Sequence, residues 1–243
     1  MNFSKTLTTD CLWLSNQAYS KNPSDCLERG LKVLDVLFNT ETENVLYYNK
    51  KKNAIIVSFR GTSSKSDVLT DLKVFPSKAF GRNFRVHSGF LKAYLDTLKN
   101  DGLAEKVVRA IVETKADKLV FTGHSLGGAL AMIAYLDFFE ALKSLSVSSR
   151  VITFGQPRLL YGKARKNEFV VKSNLGEYAL RIINGRDLVS KLPPFWMGYR
   201  HSGKVLQLPS RKYDMFGILA HTSDNYNKSL EKEFRRDLVE NIV

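Results

Sequence analysis

A serine hydroxyl is a weak nucleophile, and a chain that uses one must hold it clear of its surroundings and beside a base. The stretch Gly123-His124-Ser125-Leu126-Gly127 has the composition for that task. The apolar run Leu119-Val120-Phe121 before it predicts a buried strand, and Leu126, Leu130, Ile133, Ala134 and Phe138 recur at helical spacing. Strand, sharp turn and helix form the setting in which G-x-S-x-G lifts its serine out of a sheet. Glycine at 123 and 127 leaves room where strand and helix approach closely. The helix N-terminus behind Ser125 favours the negative charge that develops on an attacked carbonyl oxygen. An ordinary Gly/Ser turn can show the same letters; the flanking strand and helix argue against it here.

Three further roles need residues. Ala54-Ile-Ile-Val-Ser-Phe59 is apolar enough for a central strand and ends in Arg60-Gly61-Thr62. A hydroxyl residue there can donate to an oxyanion through the Thr62 N–H and hydroxyl; the plain alternative is a glycine turn. For the base, the chain offers 4 histidines. His87 precedes Ser125 and His124 adjoins it on the turn, pointing elsewhere, so His201 and His221 remain. For the acid that fixes the histidine tautomer, Asp137 and Glu140 fall in the helix after Ser125, pointing away from its N-terminal end. Glu168 and Glu177 precede the strand-like Tyr178-Ala-Leu-Arg-Ile-Ile183, and Asp187 follows it. Sites in open α/β sheets gather at the carboxyl ends of strands, which favours Asp187 over its alternative as a loop aspartate capping its own turn.

The elements that must position these residues read as alternating helix and strand. Thr8 or Thr9 can cap a first helix, and Asn22-Pro23 breaks it. Strands are expected around 31–38 and 45–48, the second joined through Asn49-Lys-Lys-Lys-Asn53 to the 54–59 strand as a hairpin. Ser64-Lys-Ser-Asp67 resembles a capping box for a short amphipathic helix, stopped by Pro76. Val86-His87-Ser88-Gly89-Phe90 opens a helical region to Leu98, with a second helix over 104–112. After the serine helix, which ends near Leu142, come a strand at 150–154, a basic, loop-rich stretch over 160–176, the 178–183 strand and an edge strand over 202–208. His221 stands before a final helix striped by Tyr226, Leu230, Phe234, Leu238 and Ile242. The order argues for one α/β domain over 1–243 with a largely parallel sheet.

The chain has 37 Lys and Arg against 24 Asp and Glu, a formal net charge of +13. The cations are spread throughout, which fits a solvated basic surface. They allow peripheral contact with anionic membrane surfaces, and no nucleic acid is expected because no recognition motif accompanies the charge. No apolar run reaches the length of a membrane span, and the N-terminus lacks the apolar core and cleavage site of a signal peptide, an intracellular or cytoplasmic expectation. Cys11 and Cys26 are expected as reduced thiols. No Cys/His spacing suits a metal, and none is expected. Nothing in the pattern specifies an oligomeric state.

Together, Phe59-Arg60-Gly61-Thr62, Val86-His87-Ser88-Gly89-Phe90, Thr122-Gly-His-Ser-Leu-Gly-Gly-Ala129, Thr153-Phe-Gly-Gln-Pro-Arg158, Asp187-Leu-Val189 and Leu192-Pro-Pro194 resemble the class 3 lipases, the α/β-hydrolase family typified by fungal triacylglycerol lipases. The resemblance implies an α/β-hydrolase fold, a mostly parallel central sheet flanked by helices. It implies Ser125 as nucleophile, Asp187 as acid and His221 as base, with Thr62 and the Leu126 N–H as the oxyanion hole and no cofactor. Arg60 and His87 are implied to be structural. His201 would be committed to a sheet face, whereas His221 is free to reach across the sheet top. The expected activity is hydrolysis of carboxylic esters, lipids first, through an acyl-enzyme. Its rivals are a non-lipid carboxylesterase on the same site and a catalytically silent binding protein of the same fold. The chain shows neither the signal peptide nor the disulfides of secreted members. Its 64–76 helix has a narrow apolar face, from which weak interfacial activation is expected.

Overall fold

The computed structural model describes residues 3–20, 22–37, 44–61, 75–209 and 219–240. Helix α1 (Lys5–Gln17) precedes strands β1 (Leu31–Leu37), β2 (Asn44–Asn49) and β3 (Ala54–Phe59). Next come β4 (Pro76–Lys78), β5 (Arg85–His87), α2 (Ser88–Asp101), α3 (Leu103–Thr114), β6 (Lys118–His124) and α4 (Leu126–Ser144). Then follow β7 (Ser148–Phe154), β8 (Leu160–Tyr161), the short helices α5 (Glu168–Lys172) and α6 (Leu175–Tyr178), β9 (Ala179–Asn184), β10 (Tyr199–Arg200), β11 (Lys204–Leu208) and α7 (Ser223–Glu240).

The main sheet has 7 strands in the order β1-β2-β3-β6-β7-β9-β11. Strands β1, β2 and β3 pair antiparallel; from β3 to β11 every pairing is parallel. The mostly parallel sheet flanked by helices expected from the sequence is therefore present. Its inner strands are apolar on both faces, so helices must cover both. Alternation along each strand decides which face a side chain joins. Ile55, Val57, Leu119, Phe121 and Val151 join the core beneath α2, α3 and α4. Ile56, Val120, Ile152 and Ile182 join a second core with Leu12 and Leu14 of α1 and Tyr226 and Leu230 of α7. Full burial of a large aliphatic side chain in either core contributes about 2 kcal/mol. Register then aligns the strand ends. Phe59 pairs with Gly123, His124 with Phe154, and Phe154 with Ile182. The residues that leave β3, β6, β7 and β9 therefore emerge in one row.

Several local expectations differ. Helix α1 is capped by Ser4, whose hydroxyl accepts from the Leu7 N–H at 3.1 Å. Thr8 and Thr9 instead lie inside the helix and donate back to the Ser4 and Lys5 carbonyls, the usual fate of a helical threonine hydroxyl. Val86 and His87 form strand rather than helix: β5 pairs with β4 and β8, making a second sheet in the order β10-β8-β5-β4. The stretch expected to be loop holds α5 and α6, with Asn167 capping α5 through the Phe169 N–H. Strand β11 lies at the sheet edge, as expected. Tyr226 and Leu230 of the final stripe are buried; Leu238 and Ile242 lie outside the described side chains. Thr62 and the helix expected from Ser64 lie outside the described residues. Cys11 is buried and Cys26 partly so, and both are free. No helix among the described residues is long and apolar enough to cross a membrane.

Asp10 shows how α1 is fastened. Its carboxylate is buried and accepts from Arg29 at 2.9 Å, Lys52 at 3.0 Å and Asn49 at 3.4 Å. One member of the lysine run at 50–52 therefore points inward to a buried charge. Replacing Asp10 by Ala removes the shared acceptor of three donors and should cost about 1–3 kcal/mol, read as a lower urea midpoint. An unchanged midpoint would show that the three donors find water at no cost.

Candidate active site

Ser125 occupies the turn between β6 and α4 with φ 58° and ψ −126°. A non-glycine residue held there costs on the order of 1–3 kcal/mol. The turn is secured by the Ser125 N–H donating to the Phe154 carbonyl at 2.9 Å and the Gly128 N–H donating to the Ser125 carbonyl at 3.0 Å. It also requires an unusually close approach of backbones. A Cβ on Gly123 would lie 2.3 Å from the Gly127 carbonyl carbon, and one on Gly127 would lie 2.1 Å from the Phe59 oxygen. Only glycine fits at either place. Leu126 is the first residue of α4, so its N–H is one of the donors that a helix leaves without an internal acceptor.

The structure brings Ser125, His221 and Asp187 together. His221 Nε2 is 2.8 Å from Ser125 Oγ, and His221 Nδ1 is 2.9 Å from Asp187 Oδ2. Asp187 follows β9, is fully buried, and also accepts from the Val189 N–H at 2.9 Å and the Tyr226 hydroxyl at 2.7 Å. Burial, and then the adjacent Asp187 carboxylate, hold the Tyr226 phenol well above its ordinary range, so it donates as a neutral group. The same hydroxyl accepts from the Asn184 N–H at 3.1 Å. The Asn184 side chain donates to the Ala220 carbonyl at 2.9 Å and so fastens the residue before His221.

His124 does more than point away. Its Nε2–H donates to the His221 carbonyl at 2.7 Å, which leaves Nδ1 as an acceptor 3.3 Å from the Tyr19 hydroxyl. Burial, reinforced by neighbouring His221, pushes its pKa down to about 3, so the ring stays neutral. Burial pushes the Tyr19 phenol up to about 12, and the Gly61 N–H donates to it. A hydrogen-bonded path therefore runs from the end of β3, through the loop after α1, to the backbone of His221. Neither Tyr19 nor Tyr226 stands out in the sequence beyond its place in an apolar helical pattern.

The remaining candidates lie elsewhere. His201 Nε2–H donates to the Ser190 carbonyl at 2.7 Å, bracing the turn after Asp187. His87 is buried and stacks on Phe90, with ring centroids 4.0 Å apart. Arg60 lies over the Tyr19 ring at 5.8 Å. Asp137 accepts from the Tyr94 hydroxyl at 2.7 Å, Glu140 pairs with Arg82, and Glu168 with Lys172. Glu177 accepts from Asn174.

The profile of the family described as Lipase (class 3) matches residues 56–197. The chain is 33% identical over 166 residues to a lipase of Rhizomucor miehei, a match covering 68% of this chain and 44% of that one. It is 31% identical over 180 residues to phospholipase A1-Igamma1, chloroplastic, of Arabidopsis thaliana, covering 63% of this chain and 34% of that one. The chain thus spans less than half the length of either relative. Among solved structures, the triacylglyceride lipase of Rhizomucor miehei superposes with a TM-score of 0.73 at 27% identity, over 83% of this chain and 78% of that one.

The buried histidines make stability depend on pH. Burial pushes His87 down to about 4 and His124 to about 3, whereas an unfolded histidine titrates near about 6.5. Between those values the unfolded chain binds more protons. The stability contributed by the neutral rings is complete above about pH 6.5 and is lost as pH falls toward the folded values. Each ring should cost on the order of 1–2 kcal/mol of stability between about pH 7 and about pH 5. Urea unfolding at both pH values checks this, and His87→Phe should be less acid-sensitive than wild type. Equal acid sensitivity would mean that His87 does not titrate in this window.

Proposed function

The chain belongs to the class 3 lipase family, and on that premise we propose that it hydrolyses carboxylic esters of lipids, acylglycerols or phospholipids, through an acyl-enzyme. The observation that carries this reading is the unbroken sequence of hydrogen-bonding distances from Ser125 Oγ through the His221 ring to buried Asp187. In it, Ser125 Oγ attacks the ester carbonyl while His221 Nε2 takes its proton. Asp187 keeps the other ring proton on Nδ1 and stabilises the imidazolium. The Leu126 N–H and Thr62 donate to the oxyanion. As the tetrahedral intermediate collapses, the C–O bond to the alcohol breaks and His221 returns its proton to the leaving oxygen. Water then attacks the acyl-serine, giving its proton to His221, and the acid leaves as Ser125 is reprotonated. The names of the relatives support lipids as the substrate class, and the net charge of +13 supports adsorption to anionic lipid surfaces.

Ser125→Ala should abolish ester hydrolysis and fluorophosphonate labelling while leaving the fold intact. Loss of a triad nucleophile costs on the order of a million-fold in turnover. His221→Ala should approach that defect, and His201→Ala, whose ring only braces a turn, should retain most of the activity. A folded Ser125→Ala protein with near wild-type turnover would sink the serine mechanism. A panel of esters of rising acyl length tests the lipid assignment, which requires longer chains to be preferred.

A further inference from the structure

Large apolar side chains exposed singly are ordinary on a protein surface; adjacent ones are not. Phe195 and Trp196 are neighbours and are 61% and 74% exposed. The turn that carries them is held firmly. The Met197 and Gly198 N–H groups donate to the Pro194 and Phe195 carbonyls at 3.1 and 3.0 Å, and the Gly162 N–H donates to the Gly198 carbonyl at 2.9 Å. Arg200 donates to the Tyr199 and Phe195 carbonyls, and Arg158 to those of Lys191 and Pro193. The exposed rings are therefore presented by a fastened platform.

The platform is also basic. Strands β8 and β10 pair Tyr161 with Tyr199 and Leu160 with Arg200, which sets the segments 158–166 and 191–200 side by side. Those segments carry Arg158, Lys163, Arg165, Lys166, Lys191 and Arg200, and no Asp or Glu. Aromatic rings carried beside two segments whose charged residues are all basic match an anionic bilayer. Tryptophan settles at the lipid headgroup level, and each nearby cation is drawn to the negative surface potential. The location fits too, since this segment leaves Asp187, and Arg158 follows the end of β7 beside Ser125. We infer that the turn Phe195–Met197 and the basic strand pair β8–β10 dock the protein on anionic phospholipid bilayers, Phe195 and Trp196 entering the interface. This deepens the lipid-ester reading and rests on it for its purpose, but docking itself needs no turnover.

The test uses the full chain as Ser125→Ala, so that binding is read without hydrolysis. The chain has 2 tryptophans, and Trp13→Phe leaves Trp196 as the sole reporter. On vesicles of phosphatidylcholine mixed with phosphatidylglycerol, Trp196 emission should shift to the blue, with little shift on phosphatidylcholine alone and loss of the shift at high salt. Phe195→Ser with Trp196→Ser, in the Ser125→Ala protein with Trp13 intact, should weaken co-sedimentation with anionic vesicles by roughly tenfold or more while keeping the thermal midpoint. Lys163→Gln and Lys191→Gln should each weaken it about fivefold at low salt. Equal binding to neutral and anionic vesicles, binding to neither, or anionic binding that survives loss of both rings would overturn the inference. Failure of the Ser125 protein to hydrolyse any ester would instead defeat the catalytic reading and leave the docking result standing.

Discussion

A carboxylate taken wholly out of water loses several kcal/mol of solvation, and the fold must return it through donors. Asp187 is in that position, and its donors come from three separate parts of the chain. The Val189 N–H belongs to its own turn, the His221 ring to the loop before α7, and the Tyr226 hydroxyl to α7 itself. Satisfying one buried charge thus draws the last helix onto the sheet and sets the histidine ring at its distance from Ser125. The same hydroxyl accepts from the end of β9, so strand, turn and helix are tied at a single oxygen. Removing any one of these donors would leave the others facing a partly solvated acid.

The opposite end of the chain contributes in a different way. The loop after α1 reaches the site through Tyr19, and His124 carries that influence to the His221 backbone. Because His124 is neutral, it holds its neighbours by hydrogen bonding and shape rather than charge. In the proposed mechanism His221 accepts a proton, and a second imidazolium beside it would disfavour that step. Burial of His124 removes that competition.

What could be read from the residues alone follows from how local each signal is. The turn at Ser125 was legible because the switch from strand to helix period happens within a few residues of the glycines. Asp187 was legible because an acid just past an apolar strand stands where parallel strands end. Choosing His221 over His201 drew on family likeness as well as position, since both follow Ser125. The roles of Tyr19, His124 and Tyr226 were illegible because their partners are brought near only by folding; Tyr226 reads as one more apolar residue in a helical stripe. Strands β4, β5, β8 and β10 span two or three residues each, too few to show alternation, so the second sheet was missed and Val86 and His87 of β5 were read as helix.

The two-faced burial of the main sheet has a consequence for how the protein can be shortened. The profile match runs from 56 to 197, yet one face of β3, β6 and β7 is closed by helices from before and after that span. A fragment cut to the matched residues would leave Ile56, Val120 and Ile152 facing solvent as a continuous apolar plane, and it would lack His221. The stretch recognised by similarity and the smallest piece able to close both faces of the sheet are therefore different objects. Engineering that trims, fuses or permutes this chain has to treat its two outer segments as one structural layer.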